Sequence, residues 1–398
     1  MKKQLLISIA ILFFLFVATT LVILYGKGYR LWFDKGKPDI SGTGLLVATS
    51  QPDGAQVFIN NNLITATDST INLPPGEYTV KIYKEGYSPW EKKLIIQKEI
   101  VVKADATLFS TAPKLESITT IGVENPILSP SLSKIAYNVA SQSAKKNGVY
   151  VLDLNTRPLL TLQGASTQVV DDTINEFSTS ALTWSPDGKE MIASISAASI
   201  YPTTYLLSSS SFNDSLKNIT TTLDTILDTW EKEKTEKETA RIENLKPALK
   251  KTINESFSQA MWSADETKIL YTASNSATIP AIIQPALIGT NQTSETRTLE
   301  KGATYVYDMK EDKNYKIEIG NSKWPRPLSW FPDSKHLIYV HDKKIDIVEY
   351  DGTNKITVYA GPFDEKYVFP YTNGSRIVIL TNLGNPDISP NLYTLGLQ

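Results

Sequence analysis

Histidine, paired carboxylates and serine are the residue types that would announce catalysis, and this chain holds few of them in useful spacing. Its two histidines, His336 and His341, stand an odd number of residues apart within one expected strand. Side chains at odd separation on a regular strand point to opposite faces, so the pair is not expected to share a metal. Asp171, Asp172 and Glu176 supply carboxylates that could attract calcium, but their spacing follows no known calcium loop. Asp187, Asp265 and Asp333 recur inside turns, where a carboxylate accepts hydrogen bonds from backbone N–H groups. No Gly-x-Ser-x-Gly elbow or phosphate loop occurs, and without cysteine there is no thiol nucleophile or thiolate site. Glycosidase chemistry would need a carboxylate pair brought together by the fold. No catalytic residue, metal site or cofactor is therefore expected.

Recognition by burial of apolar side chains is the other chemistry to look for. Leu223, Ile226, Leu227 and Trp230 follow the i, i+3, i+4, i+7 spacing of one helix face. They are the candidate partner-binding residues, with packing against the chain's own body as the alternative. A charged run, Glu231 to Glu238, follows them. Ile242, Leu245, Leu249 and Ile253 then continue the apolar face, interrupted at Pro247. One or two helices are expected within an insertion at about residues 213–255.

The elements that must carry these residues are mainly strands. Ala181-Leu182-Thr183-Trp184-Ser185-Pro186-Asp187-Gly188 reads as a strand entering a tight turn. Variants stand at Leu128–Ser131, Trp262–Glu266, Trp330–Ser334 and Phe369–Gly374. Each can be extended into a four-stranded unit, the first closing with Pro158 to Leu162, and repeated units of this kind form β-propellers. Unequal intervals between the turns mark insertions at residues 163–180, 213–255 and 274–302, the last able to hide a sixth blade. The fifth unit runs out of chain after three strands, while Leu115 to Gly122 lies unclaimed before the first. Pairing the two would leave no open sheet edge. The turn after an aromatic strand resembles the TolB-type and WD40-like Pro-Asp repeats of bacterial envelope proteins.

Upstream, residues 44–109 are strand-rich, with runs at 45–49, 55–60, 78–83 and 93–96 that predict a small antiparallel β-sandwich. Pro52-Asp53-Gly54-Ala55, Leu73-Pro74-Pro75-Gly76-Glu77-Tyr78 and Lys84-Glu85-Gly86-Tyr87 stand in the order found in PEGA domains, which this segment resembles. Residues 65–70 depart from the family's middle hairpin and put its loop shape in question. The resemblance implies a noncatalytic surface or envelope module.

Leu5 to Tyr25 carries no charge, and about 20 apolar residues suffice to cross a bilayer as a helix. With no small-x-small site closing the run, an uncleaved signal anchor is expected, residues 1–4 inside and the bulk outside. Residues 26–43 are read as a linker, with Trp32 and Phe33 at the membrane interface. The net charge of −2 leaves no basic field for nucleic acid.

The expected protein is thus mainly β: a transmembrane helix, a PEGA-like sandwich and a five-bladed, possibly six-bladed, propeller over residues 110–398. Its expected role is to present these modules, noncatalytically, to a protein or cell-surface polymer. The alternative is an extracytoplasmic propeller hydrolase or lyase acting on glycans or peptides.

Overall fold

The computed structural model describes residues 2–26, 29–34, 37–154, 166–196, 202–318 and 328–398, with side chains for 7–23, 25–26 and from 42 onward. Two units emerge: residues 1–111 with 283–294, and residues 112–282 with 295–398.

In the first unit, α1 (Lys2–Gly26) is one helix, and Ile11, Leu12, Phe13, Phe14, Phe16 and Val22 along it are exposed. Among the described residues no helix is long and apolar enough to cross a membrane. Within the stretch read as a linker, β1 (Tyr29–Asp34) and β2 (Lys37–Gly42) pair antiparallel, Tyr29 opposite Gly42. Tyr, Leu, Trp and Phe in β1 favour an extended backbone over a loose tether. The side chains of Trp32 and Phe33, expected at the membrane interface, lie outside the described residues.

Seven strands follow: β3 (Gly44–Gln51), β4 (Gln56–Ile59), β5 (Asn62–Ala66), β6 (Ser69–Leu73), β7 (Gly76–Tyr83), β8 (Trp90–Ile96) and β9 (Val101–Thr107). They form two sheets, in the orders β5-β4-β7-β8 and β6-β3-β9. Alternate residues Leu46, Ala48, Val57, Ile59, Val80, Ile82, Leu94, Ile96, Val102 and Ala104 point into one shared core, as the two-residue period of a strand requires. The sheets are not wholly antiparallel, because β9 runs parallel to β3 with Leu45 opposite Val101. Residues 65–70 are strand ends around a turn. Thr67 N donates to the Ala55 carbonyl and Asp68 N, at φ 64°, to the Ala48 carbonyl, stitching one sheet to the other.

The second unit opens with β10 (Lys114–Ser117) and continues as five four-stranded antiparallel sheets. The first holds β11 (Glu124–Leu128), β12 (Lys134–Val139), β13 (Gly148–Asp153) and β14 (Ser166–Asp171). The second holds β15 (Ala181–Trp184), β16 (Glu190–Ile195), β17 (Thr203–Ser208) and β18 (Lys217–Asn218). After α2 (Leu223–Glu243) and α3 (Pro247–Ser256) come β19 (Phe257–Trp262), β20 (Lys268–Ala273), β21 (Thr304–Asp308) and β22 (Lys313–Lys316). The fourth is β23 (Ser329–Trp330), β24 (His336–His341), β25 (Lys344–Glu349) and β26 (Ile356–Ala360). Last are β27 (Val368–Pro370), β28 (Arg376–Thr381) and β29 (Asn391–Gly396), completed by β10 in the order β10-β29-β28-β27.

That last pairing closes the set. Lys114 lies opposite Gly396 and Ser117 opposite Tyr393. Arg376 Nη1 donates to Glu116 at 3.1 Å, and Leu392 N to the Thr119 hydroxyl at 2.9 Å. Two expectations need correcting. Pro158 to Leu162, read as the closing strand of the first sheet, lies outside the described residues. The fourth strand is β14, inside the stretch read as an irregular insertion. The stretch 274–302 hides no sixth four-stranded sheet; residues 283–294 belong to the first unit.

Neighbouring sheets share cores. Tyr137 and Leu152 pack with Phe369 and Val378, joining the first sheet to the fifth. Val149 and Val170 pack with Trp184 and Met191, joining the first to the second, and Leu270 and Val306 pack with Trp330 and Leu337, joining third to fourth. Trp184 Nε1 donates to the Ile127 carbonyl at 3.2 Å and Trp330 Nε1 to that of Met261 at 2.9 Å. First strands therefore meet between the first and second sheets and between the third and fourth, which makes these the inner strands of their blades.

Candidate functional site

The recurrent turns are built for shape. Asp187 accepts from Ser185 Oγ at 2.8 Å and Lys189 N at 3.0 Å, and these hydrogen bonds hold its carboxyl below the usual range. Asp265 repeats the arrangement with Ser263 Oγ at 2.7 Å and Thr267 N at 3.1 Å. The structural role expected for these aspartates is what the geometry shows. Asp171 and Asp172 are likewise engaged, the first with Thr173, the second with the N–H and hydroxyl of Ser178. Among the described residues no group of three or more His, Asp or Glu could hold a metal ion.

The two histidines take separate carboxylates. His336 Nδ1 lies 2.6 Å from Asp333 and His341 Nε2 lies 2.7 Å from Asp346. Burial pushes Asp333 up, but the His336 contact outweighs it and the carboxyl ends below its usual range. Asp346 behaves likewise: burial raises it, while His341, Thr357 and Lys355 together bring it down. Thr357 Oγ1 donates to Asp346 at 2.7 Å and Lys355 Nζ lies at 3.1 Å, so this one carboxylate ties together residues of β24, β25 and β26 and Lys355. No sequence pattern had singled out this cluster, since its members meet only through strand register.

The four candidate partner-binding residues are placed plainly. Trp230 is 8% exposed and packs, with Leu223 and Ile226, on Ile192, Leu206 and Ile219 of the second blade. Leu227 alone of the four is open, at 40%. Three of the four are thus engaged inside the chain. Further along, Ile242, Leu245, Leu249 and Ile253 pack against Ile269, Tyr271 and Tyr305 of the third blade. Pro247 ends nothing by clashing; it opens α3 at its first turn, where a missing N–H costs least. Here Trp262 Nε1 donates to Glu238 of α2 at 2.8 Å, whereas its counterparts in the second and fourth blades donate to the preceding first strand.

What remains exposed along the first strands is a rim. Glu124, Asn125, Ala181, Thr183, Gln259, Ala260 and Met261 are open to solvent. β11 and β19 carry bulges at matching places, between Glu124 and Ile127 and between Ser258 and Met261. Within them Asn125 (φ 46°) and Gln259 (φ 51°) sit in the left-handed region, a cost that bulges beside functional rims commonly carry. Asn125 carries a weak signal, since asparagine tolerates that backbone; Gln259 carries none. Tyr367 OH reaches Asn125 Oδ1 at 3.5 Å, linking the fifth blade to the first. Among the first strands only Glu124 is a carboxylate. Amides, hydroxyls and a thioether can hydrogen-bond and pack on a ligand; one carboxylate is not an acid–base pair.

With this geometry described, comparison with known proteins adds the following. Residues 43–111 match the PEGA domain family. No curated protein matches the chain. Among solved structures, TolB from Acinetobacter baumannii aligns at 17% identity and TM-score 0.22, covering 80% of this chain and 60% of that one. A TolB from Agrobacterium tumefaciens aligns at 14% and 0.21, covering 72% and 83%. Kuenenia stuttgartiensis hydrazine synthase aligns at 12% and 0.20, covering 92% and 99%. The chain thus spans 60% of the length of the first of these. At such TM-scores these likenesses carry no argument, and the ring of blades rests on the strand pairings.

Proposed function

We propose that this chain is a membrane-anchored, noncatalytic cell-envelope protein whose PEGA domain and five-bladed propeller present a recognition surface to a protein or a cell-surface polymer. The anchor is the uncharged run Leu5 to Tyr25, with Lys2 and Lys3 on the inner side and the bulk of the chain outside. As a helix this run of 21 residues has a length of roughly 31 Å, at about 1.5 Å per residue, against a hydrocarbon core of about 30 Å.

One observation supports the binding role above the rest. The first strands of three blades expose Asn125, Thr183, Gln259 and Met261, two of them, Asn125 and Gln259, within bulges. Rigid placement of amide, hydroxyl and apolar groups lowers the ordering cost of binding.

Capture from a native envelope tests this. The full chain, tagged and solubilised, is compared with a Gln259→Ala, Met261→Ala variant for retained partners. At least a tenfold loss of retained material is expected. Equal retention by a folded double variant would remove the rim from the reading.

A further inference from the structure

The first unit leaves its uncharged helix and comes straight back to it. Tyr29 stands three residues beyond the end of α1 at Gly26, and the β1–β2 pairing sets Gly42 opposite Tyr29. Three residues span at most about 11 Å and paired strands lie about 5 Å apart, so Gly42 sits within roughly 16 Å of the helix end. Thr43 and Gly44, which open the sandwich, therefore mark its helix-proximal end.

The link between β8 and β9 lies at this same end. Glu99 N donates to the Thr43 carbonyl at 3.1 Å, and Leu45 N to that of Ile100 at 3.0 Å. Residues 283–294, which belong to this unit, pass across it. An added Cβ on Gly289 would come within 3.0 Å of the Val101 carbonyl and 3.5 Å of the Ile100 side chain. Further along, the Gln292 side-chain amide fastens the segment to β8, accepting from the Ile95 N–H and donating to the Ile95 carbonyl, the second at 2.9 Å. The segment contains no charged residue. Just before Gly289 it leaves Leu287 46% and Ile288 70% exposed, and Val101 beside them is 45% exposed. A contiguous exposed apolar patch of this kind marks an interaction site more often than scattered apolar residues do.

We infer that Leu287 and Ile288 enter the interfacial layer of the bilayer and give the first unit a second membrane contact beside its helix. The inference rests on the reading of Leu5 to Tyr25 as a membrane anchor. Position and composition name the occupant. The patch stands at the end of the sandwich nearest the anchor, so the surface that the anchor holds close is the lipid surface. Two aliphatic side chains on a free protein would bind lipid only weakly, but a tethered loop starts from a high effective concentration of it. Lys98 and Glu99 at the same end carry opposite charges, so burial of apolar area rather than headgroup charge directs the contact. The contact limits how far the first unit swings about its anchor.

The chain has no cysteine, so a single introduced thiol carries a label at one known position. Ile288→Cys, Leu15→Cys and Asp53→Cys are made in the full chain, given the same nitrobenzoxadiazole fluorophore and reconstituted into phosphatidylcholine–phosphatidylglycerol vesicles. Asp53 is exposed just past the far end of β3, about 25 Å from the helix-proximal end, and serves as reference. A lipid spin-labelled near its headgroup is expected to quench the Ile288→Cys label roughly fivefold more than the reference, as interfacial burial requires. A lipid spin-labelled deep in its chain should quench the Leu15→Cys label. Adding Leu287→Asp to the Ile288→Cys variant should bring its quenching down to the reference. Quenching that ignores the added aspartate would show the fluorophore inserting by itself and would overturn the inference. Quenching at Leu15→Cys with none above reference at Ile288→Cys would overturn it too, while leaving the anchor in place. No quenching at Leu15→Cys would remove the anchor reading, and this inference with it. Shielding of the Ile288→Cys label only after envelope protein is added would also overturn it, since the loop would then meet a protein.

Discussion

Asp346 shows how much one side chain can hold. Its carboxylate is nearly buried and takes His341, Thr357 and the exposed Lys355 together, so its removal leaves the Thr357 hydroxyl and the His341 ring without their acceptor. Asp346→Asn should cost about 2 kcal/mol, as expected when hydrogen bonds to a buried charged group are weakened, measured by denaturant unfolding of the solubilised chain. The pH dependence has a definite sign. A carboxyl whose folded pKa lies below its unfolded value contributes fully above the unfolded value of about 4, and that contribution fades as pH falls toward the folded one. Stability should therefore drop more steeply below about pH 4 in the parent than in the Asn variant; parallel acid limbs would contradict the assignment. Gly148 is a second sensitive point. At φ 126° an added Cβ would stand 2.1 Å from the Val170 carbonyl, on the strand beside it. Gly148→Ala should destabilise by more than about 1 kcal/mol, read as a lower melting midpoint.

Elements were readable in proportion to how local their causes are. The Ser-Pro-Asp-Gly turn needs only its own residues. The closing strand of the first blade was misplaced because residues 163–180 read as an irregular insertion, whereas pairing with β13 makes Ser166–Asp171 the fourth strand. β9 was unreadable as a parallel partner of β3, since direction is set by which edge remains vacant after the other strands pair. For α2 and α3 the apolar spacing was legible, but its use was not. Trp230 meets Ile192 and Ile219, so Trp230→Ala should cost about 3–5 kcal/mol. Leu227→Ala, at an exposed position, should stay within about 1 kcal/mol. Thermal melts of the two variants check the contrast, and similar losses would mean that α2 packs by another face.

At the scale of the second unit, closure by β10 has the largest consequence. Deleting residues 114–117 would bare the edge of β29, with its unpaired N–H and carbonyl groups. The deleted chain is expected to aggregate on gentle heating and to lose cooperative unfolding, while its far-ultraviolet spectrum keeps its strand signal. A stable, non-associating product with the parent's melt would show that the ring does not depend on this strand.

Periodic chemistry along the chain was enough to establish repeated strand–turn units, a PEGA-type module, an apolar amphipathic stripe and an uncharged leading segment. Those features arise from neighbours in sequence, and each residue carries its own share of the signal. Only the tertiary structure decided that Leu223, Ile226 and Trp230 are spent on the second blade, that His341, Asp346, Lys355 and Thr357 converge, and that Asn125 and Gln259 lie within bulges. Each of these depends on register between strands or on which surface meets a helix. Such choices are fixed by packing among residues far apart in the chain, and no local pattern records them.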